Sequence, residues 1–197
     1  MLSPIQSEVV LVQPRKFWAR WRVRVGYPVA AIYWFLAVPS ASSILIGGFI
    51  AAFGLLIRAL ASGHLRKDQA LATSGPYAYT RNPLYLGSAL LAIGFLIAGR
   101  SWLASVIVDV YFVLFYYAVI RSEERDIRER FGPAFDEYAR RVPLFFPRLT
   151  RTGNQAQSAN FCWAQYIGNR EYQAGLGAIA GLAAVWLRMW LRALFGY

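Results

Sequence analysis

The sequence predicts an all-α, polytopic integral membrane protein with about five transmembrane helices and a polar site on its cytoplasmic side. Three observations predict the fold. Of 197 residues, 57% are hydrophobic, 16% aromatic and only 16% charged, where a soluble domain averages roughly 25% charged and 45–50% apolar. The apolar residues gather into long runs separated by short polar turns, approaching the ~20 residues that a spanning helix needs. Apart from Arg100, Arg188 and Arg192, the basic clusters between those runs fall on one side if every run crosses, and the positive-inside rule makes that side the cytoplasm. The length fits a single membrane domain, residues 1–197.

Residues 1–24 read as an interfacial N-terminal segment. Arg15 to Arg24, RKFWARWRVR, interleaves five basic residues with Phe17, Trp18, Trp21 and Val23, the composition of a positive flank that anchors a first span. The first apolar run is about Val25 to Pro39 and the second about Ala41 to Leu60, with PSASS as a tight hairpin between them. The third, about Pro83 to Ala98, and the fourth, about Trp102 to Ile120, are separated only by Gly99, Arg100 and Ser101. Pro83 suits the first turn of a helix and Asn82 is a candidate N-cap. Past the fourth run, Phe131, Phe135, Tyr138 and Val142 recur at spacings of four, three and four. That is an amphipathic helix near the surface, bent or restarted at Gly132-Pro133. Arg151 to Phe161 reads as a polar linker. A C-terminal membrane helix, 174–197, crosses or lies in the interface; Gly177 and Gly181, four apart, let a neighbouring helix approach closely.

Several function classes are disfavoured. Cys162 is the single cysteine and His64 the single histidine, so neither a disulfide nor a Cys- or His-based metal site is expected. The net charge of +11 lies in clusters between apolar runs. It is therefore read as contact with anionic lipid, not with nucleic acid. No signal-peptide pattern precedes the first run, and no GxGxxG, P-loop or zinc spacing occurs.

The chemistry is expected in two stretches. Thr73 to Gly87, TSGPYAYTRNPLYLG, carries turn residues, Tyr77, Tyr79 and Tyr85, and the start of a helix. A helix N-terminus suits an anionic group, and tyrosine faces suit an aromatic base or a cation. Glu123 and Glu124 follow the fourth run by about one turn. Asp109, deep in that run, is a functional candidate by default, or else a hydrogen-bonded structural acid. His64 has the only reference pKa near neutral and is a candidate base. Residue types alone reach only a membrane protein with a polar cytoplasmic site; an aromatic belt with a capped helix accounts for the same residues.

The order and spacing of LATSGPYAYTRNPLYLG, a helical hairpin and EERDIRERFGPAFDEYARRVP resemble the isoprenylcysteine carboxyl methyltransferase and phospholipid methyltransferase superfamily. The blocks are Leu71-Ala72-Thr73-Ser74-Gly75-Pro76-Tyr77, Arg81-Asn82-Pro83-Leu84-Tyr85-Leu86-Gly87, Glu123-Glu124 and Phe131-Gly132. They define a methyltransferase core of about 60–147. The resemblance implies an integral membrane methyltransferase of the inner or plasma membrane that uses S-adenosylmethionine. It also implies an amphiphilic or lipid-like acceptor drawn from the bilayer. Carried over by position, Gln69, Ala70, Leu71, Ala72, Tyr77, Asn82, Pro83, Leu84 and Tyr85 line the cofactor, with Gly75 and Arg81 of the same blocks and Glu123 opposite. His64, Arg121 and Glu124 are the candidate catalytic residues; no metal is expected. Asn82 stands where eukaryotic carboxyl methyltransferases have histidine. Val119 stands where the family's carboxylate-binding arginine aligns, with Arg121 nearby but offset. The acceptor atom is thus open among O, N and S. A nicotinamide-dependent membrane reductase of the sterol reductase type and a non-catalytic lipid-binding protein are the alternatives.

Overall fold

A computed structural model describes residues 14–66, 70–150 and 160–196. Among these residues the chain is helical, without strands: α1 (Pro14–Leu36), α2 (Ala41–His64), a 3-10 turn (Gly75–Ala78), α3 (Pro83–Gly99), α4 (Trp102–Phe131), α5 (Pro133–Arg141), α6 (Trp163–Gly168) and α7 (Tyr172–Phe195). All five apolar runs are helices. By length and composition α2, α4 and α7 can each cross a membrane, and α3 is a shorter apolar helix. Their outward faces are oily: Leu45, Phe49, Phe53 and Leu56 on α2 and Leu176, Ile179 and Trp186 on α7 are exposed, as lipid-facing side chains are. This is an all-α architecture that fits an integral membrane protein.

Helix boundaries follow local chemistry. The described part of the basic flank and the first apolar run form one helix, α1, which passes through Pro28. At the start of α2, Ser40 Oγ accepts from Ser43 N at 3.2 Å while Ser43 Oγ accepts from Ser40 N at 2.9 Å, a reciprocal capping box. Ser101 caps α4 through Ala104 N. That helix runs past the apolar stretch, through Glu123 and Glu124, until Gly132 adopts φ +49; Pro133 then starts α5. The amphipathic reading of α5 holds, because Phe135 and Val142 are buried. Asn82 sits at the N-cap position of α3 but makes no capping bond. Its side chain is used elsewhere, as described below.

Two packing modes organise the bundle. α2 and α3 meet backbone to backbone through glycines seven apart on each helix. A Cβ on Gly54 would lie 2.6 Å from Gly87 O, and one on Gly94 would lie 2.5 Å from Gly47 O. α1 is held by side chains instead. Tyr111 OH of α4 donates to Arg22 O at 2.8 Å, and Trp34 Nε1 donates to Ala184 O of α7 at 2.7 Å. Arg188 of α7 donates to Phe35 O at 2.8 Å and stacks on Trp34 and Phe35. A small core of Tyr33, Ala98, Ala104 and Val185 closes that far end. Of the pair Gly177 and Gly181, only Gly181 packs closely, against Phe95. Asp109 is exposed on the outward face of α4, beside Val106, Val110 and Val113.

Candidate active site

At the basic end the middle of α1, the end of α2, the 3-10 turn, the start of α3, the central and C-terminal parts of α4, α5 and the turn before α7 surround one cavity of about 830 Å³. The predicted residues Ala70, Leu71, Ala72, Tyr77, Arg81, Asn82, Leu84, Tyr85, Glu123 and Glu124 lie on its wall. Gln69 falls outside the described residues. Gly75 and Pro83 shape the wall from behind. Gly75 has φ +58, and a Cβ there would strike the His64 ring at 2.5 Å, so glycine satisfies both the turn and the contact. Pro83 is buried at the first turn of α3. His64 itself stands off the wall, with Nδ1 2.7 Å from Leu60 O and its ring edge-on to Phe161. Arg121 is also off the wall, half exposed and 3.8 Å from Glu124.

The wall is laced to the segment after α5. Arg81 N donates to Pro143 O at 2.9 Å and Arg148 N to Tyr79 O at 3.0 Å. Thr80 Oγ1 donates to Phe145 O at 2.9 Å. Asn82 Nδ2 donates to Leu144 O at 3.0 Å, and the side chain makes no capping bond to α3. Tyr138 OH of α5 donates to Tyr77 O at 2.7 Å. Burial pushes the Tyr77 phenol well above its ordinary value, reinforced by Tyr138 and the carboxylates of Glu123 and Glu171. Burial likewise raises Tyr138, with the Arg81 guanidinium opposing it. Both stay neutral across the physiological range and so keep a hydroxyl hydrogen that can donate.

Charges meet on opposite sides of the cavity. The Tyr85 phenol sits between the Glu123 carboxylate and the Arg22 guanidinium. Arg81 and Glu124 pair at 3.1 Å, both largely buried, yet Glu124 Oε1 makes no hydrogen bond; the charges are close but the N–H is not aimed at the oxygen. Across from them, Arg58 Nε contacts Glu171 Oε1 at 2.5 Å, and Arg58 Nη1 donates to Ser88 Oγ. The sequence reading missed this pair. Arg58 had a usable signal, a charge inside an apolar run. Glu171 had none, because its partner lies 113 residues away. Arg22, Ser62, Tyr116 and Asn169 also line the cavity without having been anticipated.

Comparison with known proteins points to the same segment. The family model for phospholipid methyltransferase matches residues 58–134. The cobalt-zinc-cadmium resistance protein CzcN of Cupriavidus metallidurans is 45% identical over 85 residues, 43% of this chain and 39% of that protein. The nickel-cobalt-cadmium resistance protein NccN of Alcaligenes xylosoxydans xylosoxydans is 44% identical over 85 residues, with 43% and 39% covered. The protein-S-isoprenylcysteine O-methyltransferase of Schizosaccharomyces pombe is 29% identical over 83 residues, 42% of this chain and 35% of that one. The matches thus span about two fifths of these relatives' length at most. No solved structure matches. Through the segment that builds most of the cavity wall, the chain is similar to the phospholipid methyltransferase family and to a protein-S-isoprenylcysteine O-methyltransferase.

Proposed function

We propose that the protein is a membrane methyltransferase that takes its methyl group from S-adenosylmethionine and passes it to an amphiphilic acceptor from the bilayer. The observation that carries this reading is the convergence of the family-matched blocks, 58–134, on a single cavity. The donor set fits the cofactor. A volume of about 830 Å³ lies within the ~300–1,000 Å³ of small-molecule and cofactor sites. Tyr77, Tyr85 and Tyr116 offer faces for an adenine ring or a sulfonium. Glu123 and Glu124 offer acceptors, and the buried Ser62 Oγ has no hydrogen-bond partner, as an atom awaiting a ligand does.

When bound, S-adenosylmethionine supplies an electrophilic methyl on sulfur. The chain's part is alignment and exclusion of water, and orientation alone is worth ~7–11 kcal/mol in well-positioned reactions. Tyr85, held by Glu123 and Arg22, fixes one edge of the site, and the α5 segment, laced to residues 79–82, shields it. The proposed cofactor-binding set is Gln69, Ala70, Leu71, Ala72, Gly75, Tyr77, Arg81, Asn82, Pro83, Leu84, Tyr85 and Glu123. Among the catalytic candidates Glu124 faces the cavity and accepts the acceptor's proton where one must leave. Arg121 flanks it, and His64 supports the Gly75 turn. On the α1 side, Val23 and Tyr27 are exposed as well as lining the cavity, which supports sideways entry of the acceptor. The basic clusters at this end support a cytoplasmic site. The metal-resistance names of two relatives describe those proteins; among the described residues no three of His, Cys, Asp and Glu gather as metal ligands.

Calorimetric titration of the detergent-purified protein with S-adenosylmethionine tests the reading. Saturable binding is expected, weakened at least about tenfold in Glu123→Ala, the scale for losing a charged hydrogen-bond partner. Undiminished affinity in the variant would remove Glu123 from the site, and binding of a reduced nicotinamide cofactor alone would replace the methyltransferase with a reductase.

A further inference from the structure

Beyond the family-matched segment, residues 160–171 dock on the end of α2. Cys162 N donates to Gly63 O at 3.0 Å, and the Phe161 ring covers Gly63 so closely that a Cβ there would overlap it. Asn169 Nδ2 donates to Ser62 O at 3.1 Å and to Leu65 O at 3.2 Å. Glu171, 10% exposed, is held by Arg58. This docking brings Asn169 and Glu171 to the cavity beside Ser62. Ser62 is 1% exposed, and its Oγ has no hydrogen-bond partner.

We infer that Ser62, Asn169 and Glu171 form the site for the ammonium group at the amino-acid end of the methyl donor. The inference rests on the function proposed above and deepens it. An ammonium has three N–H donors and needs three acceptors. The cluster holds three: Ser62 Oγ, the Asn169 amide oxygen and Glu171 Oε2. Asn169 Nδ2 is spent on the α2 carbonyls and Arg58 Nε on Glu171 Oε1, so neither N–H competes with the ligand for these oxygens. The unpartnered Ser62 hydroxyl is the decisive feature. A buried polar atom left without a bond is costly, and here a ligand from the cavity removes that cost. Arg58 also separates the amino-acid end from a plain amine. A lone ammonium beside Glu171 would meet the Arg58 charge uncompensated, whereas an amino acid brings its own carboxylate to offset it. Arg58, Glu171, Tyr77 and Glu123 all line the same cavity, so the cluster and Glu123 serve one ligand from two walls. Glu123 is then left for the ribose hydroxyls.

The test compares S-adenosylhomocysteine with 5′-methylthioadenosine, which lacks the amino-acid end, by calorimetry on the full chain. The parent should prefer S-adenosylhomocysteine. Glu171→Gln should weaken S-adenosylhomocysteine by about tenfold or more and leave methylthioadenosine unchanged, as expected for loss of a charged acceptor. Because that change also strips Arg58 of its partner, Ser62→Ala is the second variant. It should fold at least as stably as the parent, having lost an unsatisfied hydroxyl, yet bind S-adenosylhomocysteine about 3–10-fold more weakly. Variants that weaken both ligands alike, or neither, overturn the inference. So does a parent that binds methylthioadenosine as tightly as S-adenosylhomocysteine, and that outcome leaves the methyltransferase reading standing. A parent that binds neither overturns both.

Discussion

Along the α2–α3 seam, Gly47 and Gly54 meet Gly87 and Gly94 with backbone nearly touching backbone, whereas α1 faces the same two helices at the basic end across Arg22, Tyr27, Arg58 and Tyr85. Four missing side chains close the first interface. Large polar ones hold open the second, and the cavity is the space they leave. The contrast shows how a small bundle of apolar helices keeps a water-accessible site without losing cohesion. One helix pair supplies a rigid wall at zero side-chain thickness, and the residues that line the opening are long enough to reach partners across it. In lipid, where helices gain nothing from hydrophobic association, close approach through small residues is the available source of packing energy.

The largest effect is expected from forcing the closed seam apart. Gly54→Leu places atoms where Gly87 O and Leu91 N stand within 2.6 Å and 2.9 Å of the new Cβ, and backbone cannot move aside as a side chain can. A loss of about 3 kcal/mol or more is expected, read as a lower melting temperature or as aggregation in detergent. Gly48→Leu is the matched control. Its Cβ meets only Leu182 Cδ1, at 3.7 Å, and a near-parental melting temperature is expected. Equal damage from both would refute the seam as the rigid wall.

A smaller effect is expected on the open side. Arg58→Ala leaves the Glu171 carboxylate, 10% exposed, without its cation. Because Arg58 is itself 22% exposed, the cost should fall to about 2 kcal/mol, below the ~3–5 kcal/mol for a fully buried pair. The double variant Arg58→Met with Glu171→Leu should recover most of that stability in a denaturation series; failure to recover would mean that Arg58 contributes through packing rather than through its charge. The smallest effect belongs to the exposed pair Arg128–Asp136, whose side chains are 59% and 50% accessible. Asp136→Ala should change stability by less than about 0.5 kcal/mol, and a larger loss would show that the junction of α4 and α5 is a structural joint rather than a solvated corner.

Much of this was legible in the chain. Each apolar run became a helix, PSASS and Gly99-Arg100-Ser101 became its tight turns, and Gly132-Pro133 became the restart of α5, because these features depend on residues within a few positions of one another. Asn82 misled for the same reason. It has the residue type and position of an N-cap, but Leu144 O takes its amide from 62 residues away. The Gly177–Gly181 pair suggested the close helix contact, while the glycines that make it, seven apart on α2 and α3, are spaced too widely to stand out locally.

By itself, then, the sequence determined the helices, their apolar faces and the motif blocks that resemble the methyltransferase superfamily, since burial in lipid and turn chemistry act residue by residue along the chain. It took the folded chain to bring Arg22, Ser62, Tyr116 and Asn169 to the cavity of Tyr77, Tyr85 and Glu123, and to place Glu124 on its wall and His64 off it. The tertiary structure alone decided that Glu171 reaches back to Arg58 across 113 residues. The reason is physical: an ion pair or a shared cavity is a relation between distant segments, set by how closely the glycines let α2 and α3 approach and by where the segment before α7 then comes to rest.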